Sequence, residues 1–479
     1  MAPRRAGTSV HAFVFVGAVL LFGLEPLVGR LLLPHFGGAF HVWSTALMFF
    51  QGALFVAYAY AHLLAGRLGR WHLLVVASPL AWLPPSVDGD PGAQASAWGV
   101  LGLLLEHVAV PFVVLATTAV VAQRWLARAG REPYGLYAVS NAGSLGALLL
   151  YALVVEPLVG LRVQRWAWAA GYVAYAALAV LAWRAKGPTT RAAPMAPLDP
   201  SPPPRPTALL YWGLLSAAPS AFLMAVTNLI ALDAGSVPLV WVVPLAIYLG
   251  SFVVAFATPR PGTDTRVPGP VRRLWPHVAA VGLFFFSGGD AGGGWIDVAV
   301  HLGVLAFVTL AAHGELYRAR PAPRHLTLYY LVIALGGWAG GAVVALLAPV
   351  AFDGLWEYPL ALVALALTMS VARRDELASW LRTAPRLALV ASAGLVIVIV
   401  GKVAYATSER DAAETLEVRR SFYGLYRVTR TSRGGGAVRD LVSGSTRHGR
   451  QREGDLTPLS YYHPEGPLGD AFALVEPPR

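Results

Sequence analysis

The sequence predicts an all-α polytopic membrane protein: twelve or thirteen transmembrane helices in two six-helix repeats, followed by a short C-terminal tail containing a β-hairpin. Three observations lead there. Hydrophobic residues make up 56% of the chain and charged residues 13%, where an ordinary soluble domain is about one quarter charged. The apolar residues gather in runs near the ~20 that a helix needs to cross a bilayer. The basic residues alternate in density from one loop to the next. Mean hydropathy is +0.57. There is no Cys, which excludes disulfides and thiolate metal sites. A net charge of +11 would suit a nucleic-acid partner, but Arg and Lys sit mainly in short loops between apolar runs, so the expected partner is the lipid bilayer and not nucleic acid.

The elements follow in order. The chain opens MAPRR and enters apolar sequence at once. No small-residue cleavage site follows a short apolar core, so the first run is a retained span. Spans are expected near 10–33, 41–65, 71–85, 99–122, 134–155, 163–183, 208–232, 237–257, 274–289, 295–312, 327–349 and 355–371. A thirteenth apolar run lies near 386–405. Its core, LALVASAGLVIVIVG (387–401), is marginal in length for a full crossing. The stretch RAKGPTTRAAPMAPLDPSPPPRP is too polar and proline-rich to continue a helix or fill a core. It reads as a linker (184–207) between a first half, 1–183, and a second half, 208–371, with a connector and thirteenth helix at 372–405.

Charge fixes an orientation. Loops on the side of the N-terminus carry Arg4 and Arg5, Arg67 and Arg70, Arg124 and Arg128, and so on to Arg373 and Arg374. The opposite loops carry Arg30, Arg162 and Arg165 together with Asp88, Asp90, Asp233, Asp290, Asp353 and Glu357. The positive-inside rule then places the N-terminus and the 184–207 linker in the cytoplasm of a cell with an inner membrane. Twelve spans return the chain to that side, and a thirteenth would carry the tail away from it.

The halves resemble each other. GAFHVWSTALMFFQGALFVAY (38–58) aligns with GSVPLVWVVPLAIYLGSFVVAF (235–256), and Trp43 precedes Gly52 by the spacing that separates Trp241 from Gly250. LYAVSNAGSLG (136–146) echoes LYYLVIALGGWAGG (328–341), and the third span of each half is short. Six spans per half give both halves one orientation, the parallel repeat of major-facilitator-type transporters.

Polar groups in hydrocarbon need a partner or a wet cavity. Glu25, Gln51, Asn141 and Asn228 are the candidates for a solute path midway through the membrane between the halves; Glu106, Glu156, Asp233, His301, His313 and Glu315 are the others. Glu25-Pro26-Leu27-Val28-Gly29 recurs as Glu156-Pro157-Leu158-Val159-Gly160. A proline there breaks the helix and frees a carbonyl for an ion or substrate. Alternatively, both motifs mark helix ends at the outer interface with solvated glutamates, which suits Glu156 and Asp233 better. His313 and Glu315, beside Arg318 and Arg320, read as an interfacial ion pair rather than a metal site, and no HExxH motif occurs. Trp71, Trp82, Trp98, Trp125, Trp212, Trp295 and Tyr358 read as interfacial belt residues.

From about Thr407 the composition changes. SFYGLYRVTR (421–430) and AVRDLVSG (437–444) alternate around a Gly-rich turn, 433–436, as a hairpin does. The remainder has turn chemistry and one short helix. So few large apolar groups make a poor independent core.

On the segments LEPLVGRLLLPHFGGAFHVWSTALMFFQGALFVAYAYAHLL (24–64), LYAVSNAGSLGALLLYALVVEPLVGLR (136–162), HGELYRARPAPRHLTLYY (313–330) and RSFYGLYRV, LVSGSTRHGRQ and PLSYYHPEGPLG within 420–469, the whole chain resembles bacterial membrane proteins in which a major-facilitator-like domain is fused to a spermidine-synthase-like domain. AGRLGR (65–70) is also similar to a loop motif of major-facilitator transporters, with Gly66 in place of its usual Asp. The resemblance implies that 406–479 is a spermidine-synthase-like β subdomain in which Tyr462 and His463 match a substrate-binding pair and Leu441 to Gly444 the preceding strand and turn. The Asp usual before that Gly is Ser443 here. The Gly-rich nucleotide-binding turn and catalytic Asp of that family are expected on a later sheet that these 479 residues do not contain. Gly434-Gly435-Gly436 is a hairpin turn. The expectation is an incomplete subdomain with no catalytic residue, no metal and no cofactor, decarboxylated S-adenosylmethionine entering only under an enzyme reading. The expected role is transport or binding of a small, polyamine-related cationic solute. The alternatives are a membrane-bound aminopropyltransferase and a scaffold that docks a partner through its tail.

Overall fold

The computed structural model describes residues 2–37, 40–64, 68–87, 96–128, 135–185, 202–234, 239–256, 265–287, 295–321, 325–372, 414–421, 424–433, 436–443 and 446–474. The expected thirteenth helix (386–405) and most of the 184–207 linker lie outside these residues. The first half is built from α1 (Ala2–Phe36), α2 (Phe40–Leu63), α3 (His72–Ala77), α4 (Ala97–His107), α5 (Ala109–Arg128), α6 (Gly135–Leu150), α7 (Glu156–Leu158) and α8 (Leu161–Ala185). The second is built from α9 (Pro206–Ala234), α10 (Leu239–Phe256), α11 (Gly269–Ser287), α12 (Trp295–Arg318), α13 (Leu326–Ala342), α14 (Ala348–Ala351) and α15 (Glu357–Ala372). Among the described residues seven helices are long and apolar enough to cross a bilayer, and three shorter apolar ones accompany them. The third crossing is short: α3 is flanked by 3-10 turns at Gly69–Trp71 and Ser78–Trp82, and Pro79, Pro84 and Pro85 forbid a longer helix.

The two halves pack alike. α1 lies against α6 and α8, and α9 lies against α13 and α15, its counterparts in the repeat. Across the boundary α2 packs on α13 and α10 on α6, one exchange seen from either half. The same defect recurs as well. A π-turn at Tyr151–Val155 precedes Pro157, and another at Val343–Leu347 precedes Pro349. A proline inside a helix has no N–H for the carbonyl four residues back, and its ring crowds that carbonyl; widening the preceding turn relieves both.

Close approach in the second half depends on glycine. A Cβ at Gly336 or Gly340 would run into the carbonyl oxygens of Gly213 and Ala217, so the GGWAGG stretch of α13 lets two backbones touch, as small residues do between membrane helices.

Polar contacts separate two ends of the bundle. At the end richest in arginine, Arg124 donates to the Ala61 and His62 carbonyls, His62 bonds Thr327 (2.9 Å), and the Trp212 indole donates to Ala319 O (2.9 Å). At the far end Arg30 donates to Glu156 O (3.1 Å), Arg165 to Pro85 O (2.6 Å), and His35 bonds Val87 O (2.9 Å).

Three expectations need correction. α1 runs unbroken through Glu25-Pro26; the proline leaves only the Phe22 carbonyl without its usual donor. Trp125, Trp212 and Tyr358 are buried between helices instead of forming an interfacial belt, whereas Trp71, Trp98 and Trp295 are exposed. Tyr358 bonds His301 (2.8 Å) and stacks on Phe286. His313 is fully buried, bonded to Ser251 (2.8 Å) and stacked on Phe252, while Glu315 pairs with Arg318 at 3.2 Å. The tail forms a five-stranded antiparallel meander of β1 (Glu414–Ser421), β2 (Gly424–Arg433), β3 (Gly436–Ser443), β4 (Thr446–Arg452) and β5 (Pro458–Leu459), then α16 (Pro467–Leu474). The expected hairpin is present as β2 and β3, within this larger sheet. The strands are rich in arginine and are joined by backbone ladders and by acid–arginine pairs.

Candidate solute-binding cavity

A cavity of about 240 Å³ lies between the halves. α2 contributes Leu47, Phe50, Gln51, Leu54 and Tyr58, and α10 contributes Leu245, Tyr248, Leu249, Phe252 and Phe256. Under the alignment of Trp43 with Trp241 these are the same five positions of the repeat, and Val253 adds a sixth on α10 alone. They recur at three- and four-residue steps, so each set forms one helix face. The two faces differ chemically. Gln51 stands opposite Leu249 in the repeat and Tyr58 opposite Phe256, so α2 is polar where α10 is apolar at these two positions, while Phe50 opposite Tyr248 reverses the pattern at a third.

α1 supplies Glu25 and the Phe22 ring one turn below it. Glu25 is 7% exposed and makes no hydrogen bond or ion pair with another described residue. Among the described lining residues it is the sole carboxylate, with no Arg, Lys or His beside it. An unpaired carboxylate at membrane depth is costly unless a proton or a cation joins it. Gln123, Ser140, Ser144, Ser216 and Tyr330 add neutral donors and acceptors. Gln51 donates from Nε2 to Ser220 Oγ (2.9 Å), which ties α2 to α9 and orients its carbonyl.

The cavity reaches Tyr58, Gln123, Phe256 and Tyr330, all in helix turns at the arginine-rich end. At the far end the halves meet directly. The Trp43 and Trp241 rings stack with centroids 5.9 Å apart, and Ser44 donates to Asn228 Oδ1. The repeat-equivalent tryptophans thus face each other across the boundary.

Of the four predicted path residues, Glu25 and Gln51 line the cavity together. Asn228 is buried away from the lining and holds the far-end contact with Ser44. The Asn141 side chain lies outside the described residues; its helix neighbours Ser140 and Ser144 line the cavity. Tyr58, Gln123, Tyr248 and Trp338 were not singled out from the sequence, although the shared spacing in α2 and α10 marks the face on which two of them stand. Among the described residues no group of three His, Asp or Glu side chains could hold a metal. In the tail, Tyr462 is exposed and His463 Nδ1 accepts from Glu465 N (3.1 Å).

No family model and no curated protein matches the chain in sequence. Solved structures match its fold. The inward-open xylose transporter XylE of E. coli is 14% identical, with 76% of this chain and 95% of that chain covered at a TM-score of 0.50. The nucleoside transporter NupG is 11% identical over 76% and 98% at 0.48, and the human organic anion transporter MFSD10 is 15% identical over 77% and 99% at 0.47. The chain is a multi-pass helical membrane protein whose fold is that of major-facilitator-type transporters.

Proposed function

We propose that this protein carries a small amphipathic solute with one positive charge across the bilayer. Glu25 supports the reading most directly: it is a buried carboxylate with no cation beside it among the described residues, and it borders a cavity whose walls mix polar side chains with apolar ones. The charge of the solute would pair with Glu25, its donors would meet Gln51 and Tyr58, and its apolar body would lie on Leu249, Phe252 and Phe256. A polyamine carries several charges, and all but one would lack a partner here, so a monocation fits better. The arginine-rich end is read as cytoplasmic in an inner membrane; the cavity then reaches toward the cytoplasm.

The test is binding of phenethylammonium, a monocation with N–H donors and an apolar ring, and of spermidine to purified protein in vesicles. A hydrogen bond to a charged group contributes about 1.5–3 kcal/mol, so Glu25→Gln should weaken phenethylammonium binding by roughly ten- to a hundredfold. Gln51→Leu, which copies the second-half residue, should weaken it a few-fold. Unchanged binding in Glu25→Gln would end this reading.

A second reading, aminopropyl transfer, draws on the tail, where the sheet runs through β5 directly into Tyr462 and His463. Formation of spermidine from putrescine and decarboxylated S-adenosylmethionine by the purified protein would support it.

A further inference from the structure

The C-terminal sheet is held to the bundle at one well-defined place. The Arg420 guanidinium, at the end of β1, donates through Nη1 to Glu357 Oε2 (3.0 Å) and through Nη2 to Glu357 Oε1 (2.7 Å). Its Nη1 also reaches the Gly354 carbonyl (2.6 Å). Both charged side chains are buried, at 1% and 2% exposure. A buried fork of this kind has a defined geometry and is not a loose surface pair.

The position of Glu357 decides where the sheet lies. Glu357 begins α15, and the next residue, Tyr358, is packed against Phe286 at the end of α11 and His301 in the second turn of α12. Counted from α9, which starts at the linker, those turns belong to the end of the bundle away from the linker. The far-end contacts Ser44–Asn228 and Trp43–Trp241 join the same ends of α9 and α10. From Glu357, α15 then runs back to Ala372, just before Arg373 and Arg374 at the basic end.

We infer that the sheet of residues 414–474 lies on the membrane face opposite the 184–207 linker, clamped to the mouth of the second half by Arg420. Ala372 ends on one face and Glu414 begins on the other, so the chain changes faces between them, and the sequence there contains the apolar run 387–401. With the basic end cytoplasmic, the sheet is extracytoplasmic. Any small molecule or protein that Tyr462 and His463 meet is then met outside, beyond the reach of cytoplasmic nucleotide-derived donors.

The absence of native Cys makes the experiment direct. Single cysteines are placed in the sheet domain (Leu456→Cys, at an 88% exposed position, and Thr446→Cys) and in the linker (Pro203→Cys). Intact cells are treated with a membrane-impermeant maleimide, and each variant is compared with the same cells after permeabilisation. Leu456→Cys and Thr446→Cys should label in intact cells, and Pro203→Cys only after permeabilisation. Labelling of both regions under the same condition would overturn the inference. Labelling of the linker alone in intact cells would keep the two regions on opposite faces and reverse only the assignment of the basic end to the cytoplasm.

Discussion

The helical bundle and the C-terminal sheet hold themselves together by opposite means. In the bundle the helical hydrogen bonds satisfy most of the backbone, and most buried side chains are aromatic or aliphatic, gathered in one cluster around α1 and another around α9. Polar bonds between helices join single pairs of side chains, such as Thr118 with Tyr175, Ser251 with His313 and Gln51 with Ser220. In the sheet no apolar side chain is buried among the described residues beyond Met369. Cohesion there comes from the strand ladders and from acid–arginine clusters: Glu453 bridges Arg430 and Arg439, and Asp440 takes Arg450 and Arg447. The bundle should therefore fail when shape is spoiled, and the sheet when charge is.

The largest effect is expected where backbones touch. Gly340→Leu forces a side chain into the Ala217 carbonyl and must separate α13 from α9. Overpacking of a tight interface costs about 1–3 kcal/mol or more, and here the obstacle is backbone that no rotamer change can move. The variant should lose its monodisperse peak in detergent chromatography. Gly303→Leu, at a helical glycine facing open space, should keep it. Equal behaviour of the two would show that the α9–α13 contact is not what shapes the second half.

How much of this was legible in the sequence differs between the same two regions. Lipid leaves a helix no alternative, because unsatisfied backbone is prohibitive in hydrocarbon, so apolar length and arginine placement mark the helices well. The repeat could be read from Trp43 and Trp241, and the structure puts these two rings in contact. Glu25 and Gln51 could be read as polar groups out of place. Tyr58 and Gln123 could not, because polar residues near helix ends look like interface. Trp212 and Tyr358 misled for the converse reason: an aromatic near a span end packs inward or outward according to its neighbours, which composition does not record. β1 and β4 were missed because ETLEVRRS offers only Leu416 and Val418 to alternate and TRHGRQR offers no apolar residue; their charged side chains pair with acids and arginines that local patterning does not reveal, as Arg450 does with Asp440 on the neighbouring strand.

The next effect in size lies at the junction of the two regions. Arg420→Ala would leave Glu357 buried without its cation, and removing one member of a buried pair costs about 3–5 kcal/mol. The cost should fall on docking. Limited proteolysis should release the tail at protease levels that leave the wild type intact, while the thermal unfolding of the bundle hardly changes. Arg419→Ala is the contrast. That side chain is 81% exposed and pairs with an exposed Glu417, an interaction of about 0–1 kcal/mol, and the tail should stay protected. If both variants release the tail equally, the Arg420 fork is not the clamp.

The smallest effect is a pH dependence confined to the sheet. The Arg450 guanidinium, with Arg447 nearby, holds the Asp440 carboxyl below the usual range, and hydrogen bonds from Arg439 and Arg430 do the same for Glu453. A carboxylate whose folded pKa is depressed adds stability that is fully present above its unfolded pKa, about 3.9 for Asp and 4.3 for Glu. That stability is lost as pH falls through the folded value. The sheet should thus be indifferent to pH from about 6 to 8 and loosen below about 4, while the bundle, whose core contacts are apolar, does not follow it. Hydrogen exchange at the amides of β3 and β4 reads this directly. Asp440→Asn should cost the sheet roughly 1 kcal/mol at neutral pH and flatten most of its acid response. An acid response of β3 and β4 that survives Asp440→Asn together with Glu453→Gln would mean that the ladders, and not the acid–arginine clusters, set the stability of this region.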